Sequence, residues 1–193
     1  MNDGSVNRSS SVEGIAEPDE ILAFWRGAGP EKWFNKNADF DAAIAARFMP
    51  TYEAAAAGRL GDWEATPDGA LALTILLDQF PRNMFRDSPR AWDADPIARG
   101  VADRALDRGF DTQVPARERP FLYLPFMHSE TLADQQRCVA LYQALGEANG
   151  IRYAEIHRDI IAKFGRFPHR NRVLDRNTTP EEQAFLDDGG FAG

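Results

Sequence analysis

Apolar residues recur with a helical spacing along most of this chain. Cys138, Leu141, Tyr142 and Leu145 fall at positions i, i+3, i+4 and i+7, which places them on one face of an α-helix. No stretch combines alternation of apolar and polar residues with many β-branched side chains, so we expect no β-strand. The pattern predicts eight helices, at about residues 18–26, 39–57, 67–79, 96–108, 117–126, 131–148, 153–164 and 180–187.

Proline and glycine mark the ends of the predicted helices. A side chain able to cap a helix precedes a proline at Thr66, Ser88, Asp95 and Thr179, an arrangement typical of helix N-termini. Glycines suited to left-handed C-terminal caps follow helix-like stretches at positions 58, 109, 150 and 165. Short connections between eight helices predict an all-α domain of stacked antiparallel helix pairs over residues 17–193, with a flexible leader at residues 1–16. Residues 70–77 are apolar nearly all round, which predicts a central, buried helix.

Composition narrows the class of partner. The 193 residues carry a formal net charge of −8 at pH 7, and an acidic surface repels a phosphate backbone, so we expect no nucleic-acid partner. No run of about 18 apolar residues occurs, so we expect no membrane span. The single cysteine, Cys138, cannot form an internal disulfide, which fits a cytoplasmic protein. It lies on an apolar helix face, where we expect an inert core residue and not a nucleophile.

Polar side chains interrupt the apolar pattern in three segments. The first, residues 78–86, follows the central helix and contains Asp78, Gln79, Arg82 and Arg86. Asp78 lies on the apolar stripe of that helix, and a buried carboxylate needs a cation or several donors. The segment therefore forms either a structural Asp–Arg pair or a site where one arginine is left to bind an anionic ligand.

The second segment, residues 125–131, ends one predicted helix and begins the next. Glu130 lies near a helix N-terminus, where the helix dipole stabilises a negative charge. That stabilisation alone is enough to explain an acidic residue at this position. His128 has no evident structural duty in the sequence. The pair is either a ligand with a base, so that His128 and Glu130 are candidate catalytic residues, or a helix cap.

The third segment begins inside a predicted helix. His157 shares an apolar stripe with Tyr153, Ile160 and Ile161, so we expect it to face the core. It is either a hydrogen-bonded core histidine or a third catalytic candidate.

A basic stretch follows that helix. Residues 163–176 contain five Lys and Arg against one Asp, which reverses the sign of the whole chain. Arginine donates two parallel hydrogen bonds to a carboxylate or phosphate, so Arg166, His169, Arg170 and Asn171 are candidate ligand-binding residues together with those of the first segment. The alternative is a salt-bridged loop that serves the acidic remainder of the chain.

Two similar Phe-Pro pairs follow buried helices, at residues 80–81 and 167–168. Because a proline favours extended geometry in the residue before it, we expect a sharp turn at each pair, and the two turns could face one another across a cleft.

No sequence motif indicates a metal or a cofactor. The three histidines, with Glu130 or Asp78, could supply metal ligands, but their spacing matches no known pattern. We therefore predict no metal and no cofactor.

Several long strings resemble one protein family. The strings LDQFPRNMFR, FLYLPFMHSE, ADQQR, HRDIIAKFGRFPHRN and VLDRNTTPEEQAFL resemble the uncharacterised bacterial family DUF924, over about residues 19–189. The resemblance implies an all-helical fold grouped with the tetratricopeptide-like superfamily and brings no known activity. The family usually reads Leu-Gly-Arg where this chain has Leu174, Asp175 and Arg176. Aspartate adopts a left-handed turn less easily than glycine, so the loop at Asp175 is expected to differ.

Three functions fit these patterns. The first is a helical protein with a polar pocket for a small anionic metabolite, in which the arginines hold the anion and a histidine moves a proton. The second is a tetratricopeptide-like module that binds an acidic segment of a partner protein. The third is a buried structural network without a ligand. We favour the first.

Overall fold

The structure is a computed structural model that describes residues 14–191. Within this range the chain forms nine α-helices and no β-strand, which confirms the predicted all-α class. The predicted leader falls mostly on residues 1–13, outside the described residues. The helices are α1 Pro18–Ala28, α2 Pro30–Trp33, α3 Ala38–Ala56, α4 Pro67–Met84, α5 Asp95–Asp107, α6 Pro120–Met127, α7 Leu132–Leu145, α8 Ala148–Phe164 and α9 Pro180–Asp187.

All eight predicted helices are present, and the short helix α2 is an addition. The largest differences, of five residues, are at the start of α8 and at the end of α4, which continues through Pro81 to Met84. The predicted turn at the first Phe-Pro pair is therefore wrong: Phe80 and Pro81 are buried inside the helix, and packing outweighs the missing proline N–H. At the second pair, Phe167 has the expected extended backbone, and Pro168 begins a 3-10 turn.

The capping predictions are confirmed at three of four positions. Thr66 and Thr179 accept hydrogen bonds from the backbone N–H groups of Gly69 and Glu182. Ser88 caps only a short 3-10 turn, Pro89–Ala91. The prediction that Asp95 caps a helix is wrong. Ala94 occupies the N-cap position of α5, and the Asp95 carboxylate accepts hydrogen bonds from Arg82.

Three of the four predicted glycine caps have a positive φ, and Gly150 does not. Gly146, with φ 74°, ends α7, and Gly150 lies inside α8. A Cβ atom at Gly150 would lie 2.1 Å from the ring of Tyr142, so this glycine allows α8 to pack closely on α7.

Helix α4 lies at the centre of the fold, as its apolar sequence predicts. It packs against α1, α3, α5 and α6, and Leu71, Leu76 and Phe80 on it are fully buried. Helices α6, α7 and α8 pack in sequence beside it. No helix within residues 14–191 is long and apolar enough to cross a lipid bilayer.

The segment after α8 is held by a buried carboxylate on α9. Glu182 is 2% exposed and accepts hydrogen bonds from Arg166 Nε at 2.6 Å and Nη2 at 2.9 Å. It also accepts one from Asn171 Nδ2 at 3.2 Å. The hydrogen bonds from Arg166 lower the pKa of Glu182 to about 2. Glu182 thereby joins α9 to the loop that carries Arg170.

The loop at Asp175 adopts the conformation that the family glycine would favour. Asp175 has φ 52°, in the left-handed region where a Cβ atom is disfavoured. The backbone N–H of the next residue, Arg176, donates to the carbonyl oxygen of Asn171 at 2.8 Å. The loop therefore keeps its turn in spite of the aspartate and carries some backbone strain.

Replacing Asp175 with glycine should relieve that strain. We expect Asp175→Gly to raise the free energy of unfolding by about 0.5–1 kcal/mol, measured by urea denaturation. The matched control is Asp159→Gly within α8, where glycine should lower it because it weakens a helix. No gain at position 175 would show that the loop is unstrained.

The buried carboxylate of α9 should make stability depend on pH. The pKa of Glu182 is about 2 in the folded protein and about 4.3 in an unfolded chain. Its contribution is therefore fully present above about pH 4.3 and is lost as the pH falls toward 2. We expect Glu182→Gln to lower the unfolding free energy at pH 7, with a difference from wild type that shrinks below about pH 4.3. A difference independent of pH would contradict the assigned ion pair.

Candidate functional site

A cavity of about 1290 Å³ opens between α2, α4, α6 and α8. Its lining includes residues from all three polar segments: Gln79, Arg82, Arg86, His128, His157, His169 and Arg170. A smaller cavity of about 460 Å³ lies between α1 and α3 and contains few charged groups. We therefore take the larger one as the candidate site.

Cations dominate the charged residues of this cavity. Seven are cationic, namely Lys36, Arg82, Arg86, Arg117, Arg152, Arg170 and Arg172. Two are acidic, Asp87 and Glu147. The charged side chains of the lining are therefore mainly cationic, although the whole chain is acidic.

The two arginines at the end of α4 already have carboxylate partners. Arg82 donates to both oxygens of Asp95, each at 2.9 Å. Arg86 donates to both oxygens of Asp41, which also accepts from Asn83 Nδ2 at 2.8 Å. These pairs fix the arginine side chains and offset part of their charge.

A buried carboxylate and an imidazole meet beneath the cavity. Asp78 is fully buried, and its Oδ1 lies 2.8 Å from Nδ1 of His128. Its Oδ2 accepts from Gln79 Nε2 at 2.6 Å. Burial would raise the pKa of Asp78, but the charge of Arg82 and the hydrogen bonds from His128 and Gln79 lower it to about 2. Asp78 is therefore ionised at neutral pH and can only accept hydrogen bonds.

Ionised Asp78 determines which nitrogen of His128 carries the proton. Nδ1 must donate to the carboxylate, which leaves Nε2 as the acceptor when the ring is neutral. Burial and the charge of Arg82 lower the pKa of His128, against the opposing effect of Asp78. His128 is therefore a neutral base of defined orientation on the cavity lining.

The other two histidines on the lining are also neutral at pH 7. Nδ1 of His157 lies 2.8 Å from the carbonyl oxygen of Tyr153, which can only accept, so Nε2 of His157 is unprotonated. Burial lowers the pKa of His157 to about 4. Burial and the charge of Arg170 lower the pKa of His169 to about 4 as well. The histidines therefore add hydrogen-bonding groups to the cavity but no positive charge.

Arg170 differs from the other buried cations of the site. It is 7% exposed, and no carboxylate within the described residues forms a salt bridge with it. Its Nη2 donates to the carbonyl oxygen of His128 at 3.0 Å, and its Nε is buried without a partner in the described part of the chain. Burial and the charge of Arg82 lower its pKa to about 10, so it remains protonated at pH 7.

Four predicted site residues lie outside the cavity lining. Asp78 lies beneath it, and the other three are Glu130, Arg166 and Asn171. Oε1 of Glu130 accepts from the backbone N–H of Phe167 and from Arg176 Nη1, each at 2.9 Å. Burial opposes ionisation of Glu130, but these bonds lower its pKa overall. Arg166 and Asn171 bind Glu182 instead. These residues hold the chain segment that presents His169 and Arg170.

The basic stretch thus divides between structure and cavity. Lys163, Arg166 and Arg176 form salt bridges with Glu181, Glu182 and Glu130. The other two cations, Arg170 and Arg172, line the cavity. The salt-bridged reading is therefore confirmed for three of the five cations, and the anion site stays a prediction for Arg170.

Sequence reasoning missed the aromatic part of the lining, which comprises Trp33, Phe34, Trp92, Phe121, Tyr142, Tyr153 and Phe191. Tyr153 shares the apolar stripe of His157, so a core position was expected, yet it is 49% exposed. That prediction is wrong because Tyr153 lies at the open side of α8. The carboxylates that pair with Arg82 and Arg86 come from distant α3 and α5, and no local sequence signal indicates them.

The described residues contain no group of three His, Cys, Asp or Glu side chains arranged to hold a metal ion. Cys138 is fully buried, and burial raises the pKa of its thiol to about 12. At neutral pH it is a protonated core residue.

Comparisons with known proteins agree with the strings noted in the sequence. The family model of DUF924, a bacterial protein of unknown function, matches residues 21–190. No curated protein matches the chain. Among solved structures, the chain is similar to a protein of unknown function, ATU0120, from Agrobacterium tumefaciens. The two are 48% identical, with a TM-score of 0.86, over 89% of this chain and 97% of that one. The chain therefore belongs to the DUF924 family.

Proposed function

We propose that the cavity binds a small organic anion and that Arg170 is the principal residue that holds it. The observation that carries the proposal is the burial of this guanidinium without a carboxylate partner among the described residues. A guanidinium has five N–H donors, and the protein supplies an acceptor for one of them. An anion entering the cavity would supply both the missing acceptors and the missing charge.

The free-energy argument separates Arg170 from its neighbours. A buried charge left without a partner costs several kcal/mol. Arg82 and Arg86 avoid that cost through Asp95 and Asp41, so they shape the cavity and need no ligand. Arg170 gains most from a bound anion, since a bidentate carboxylate or phosphate would satisfy donors that are now unmet.

The Asp78–His128 pair gives the same site a base. Arg170 donates to the backbone carbonyl oxygen of His128, and both residues line the cavity, so we expect an anion held by Arg170 to lie near the imidazole. Asp78 holds Nδ1 of that ring, which leaves Nε2 as the proton acceptor. A neutral imidazole of fixed tautomer is the usual proton acceptor in enzymes. The site therefore has the groups for proton transfer to or from the bound anion.

The burial of Arg170 favours a small ligand over a partner protein. A tetratricopeptide-like module presents an exposed concave surface to an acidic segment, and exposed Arg152 and Arg172 would suit such a segment. A guanidinium that is 7% exposed is reached by a small molecule more readily than by a folded partner.

Replacing Arg170 should separate binding from stability. We expect Arg170→Met to leave the unliganded protein as stable as wild type or more so, because it removes an unpaired buried charge. It should also abolish the stabilisation by phosphate or carboxylates. At ten times its dissociation constant an anion stabilises wild type by about 1.4 kcal/mol, which thermal denaturation detects.

The control is Arg166→Met, which lies outside the cavity. It should lose stability, because Glu182 loses its partner, and should keep the response to anions. If anions stabilise neither wild type nor Arg166→Met, the proposed function is wrong.

The protonation of His128 should report on the ligand. A bound anion favours the charged imidazole, so saturating phosphate should raise the pKa of His128 by about one pH unit or more. Asp78→Asn should lower it, since Asp78 raises that pKa in the folded protein. Both are measured by NMR of the imidazole nitrogens. A pKa unchanged by any bound anion would place the ligand away from His128.

A further inference from the structure

We propose that the ligand of this cavity is an aromatic anion, a molecule that joins a flat unsaturated ring to a carboxylate or phosphate. The inference rests on the proposed function, because it assigns the anionic group to Arg170. It adds that the ring of the ligand stacks on the exposed aromatic side chains of the lining, chiefly Phe34 and Tyr153.

The size of the cavity calls for more than an inorganic ion. Sites for organic ligands typically occupy about 300–1000 Å³, and this cavity measures about 1290 Å³. A phosphate ion held by Arg170 would leave most of that volume to water. The remaining space is available for an organic body attached to the anionic group.

The apolar side chains around that space are mainly rings. Aromatic residues of the lining outnumber the larger aliphatic ones, which are Leu124, Met127 and Val173. A ring packed against aromatic faces gains stacking free energy beyond the area it buries, whereas an aliphatic chain gains only the area term. The lining therefore favours a flat ring over an aliphatic chain.

Phe34 offers an open aromatic face. Its ring lies nearly parallel to that of Phe121, at 16° and a centroid distance of 6.3 Å, and edge-on to Trp33 at 6.4 Å. Phe121 and Trp33 therefore pack against the Phe34 ring, yet 66% of Phe34 remains exposed to solvent. A ligand ring placed on the outer face of Phe34 would continue the stack and remove apolar surface from water.

Tyr153 provides a second exposed ring beside the polar groups. It is 49% exposed and lies one helical turn before His157, whose Nδ1 is 2.8 Å from the backbone carbonyl oxygen of Tyr153. Its neighbour in sequence, Arg152, also lines the cavity. This part of the lining therefore supplies one cationic and one aromatic side chain.

Arg170 itself lies against aromatic rings. Its guanidinium carbon is 5.5 Å from the ring centroid of Trp92 and 4.5 Å from that of Phe167. Such contacts hold the guanidinium plane in place. The cavity thus offers an anion-binding group and stacking surfaces together, as in proteins that bind single-stranded nucleic acids or their components.

Two matched pairs of ligands test the inference by isothermal titration calorimetry on the full chain. Benzoate is compared with cyclohexanecarboxylate, which has the same charge and a saturated ring. A nucleoside monophosphate such as AMP is compared with ribose phosphate, which lacks the base. We expect the aromatic member of at least one pair to bind about two- to tenfold more tightly. The pair that responds tells whether the natural anion is a carboxylate or a phosphate.

The double variant Phe34→Leu with Tyr153→Leu tests the position of the ring. Both residues are exposed, so the variant should fold, and circular dichroism with thermal denaturation checks this. It should lose the preference for the aromatic ligand and keep its affinity for the saturated one. Leu132→Ala, an exposed apolar residue outside the lining, is the control and should change neither affinity.

The outcomes separate this inference from the proposed function. If anions bind with no preference for an aromatic ring, the inference of an aromatic ligand is wrong and the proposed anion binding still stands. A ring preference that survives in the double variant would overturn the stacking on Phe34 and Tyr153. If wild type binds none of the four ligands and no inorganic phosphate, the proposed function is wrong, and the inference that rests on it is wrong as well.

Discussion

The polar side of this protein depends on one buried carboxylate, that of Asp78. It lies on the central helix with no exposure to solvent, where an ion is stable only if its charge and its hydrogen-bonding capacity are met. His128, Gln79 and Arg82 meet them from three directions. Breaking a buried pair of this kind costs about 3–5 kcal/mol, so the position of Asp78 constrains the helix end, the α6–α7 connection and the orientation of an imidazole.

From Asp78 the charges extend outward in a chain of pairs. Arg82, which contacts Asp78, is bound at its outer side by Asp95 of α5. The turn that follows α4 repeats the arrangement with Arg86 and Asp41 of α3. Each pair ties α4 to a different neighbouring helix. Arg170, from the C-terminal part of the chain, lies near the same group of charges. Its hydrogen bond goes to a carbonyl oxygen and not to a carboxylate of the described residues. The network is therefore balanced within the helical core and unbalanced at the cavity.

The sequence predicts most of the fold and about half of this arrangement. Helical periodicity and capping residues locate the eight longer helices, because both signals arise from neighbours along the chain. The stripe positions of Asp78 and His157 also predict their burial correctly. Local signals fail where contacts between distant residues determine the structure. Pro81 remains inside α4, and Asp95 pairs with Arg82 and does not cap a helix. Tyr153 lines the cavity and does not lie in the core.

The roles of the basic residues show why composition alone is a weak guide to a site. Five cations in residues 163–176 indicate an anion site, yet three of them bind glutamates of α9 and of the α6–α7 connection. Which arginine is left depends on where distant carboxylates arrive in the fold, and one sequence does not contain that information. Once the fold is known, the distinction is physical: a paired arginine gains little from a ligand, whereas an unpaired buried one gains much.

The opposite signs of the chain and its cavity have a consequence for specificity. At physiological ionic strength charges act over about 8 Å, so the net charge of −8 is felt mainly near the outer surface, whereas a ligand inside the cavity meets the cationic lining. A large polyanion would contact the acidic outer surface as well as the cavity and would be repelled there. A small anion inside the cavity does not contact that surface. Because the histidines of the lining are neutral at pH 7, the attraction comes from the arginines and lysine and does not depend on small changes of pH. For the proposed site, we therefore expect selection of a small anion over an extended one by charge as well as by size.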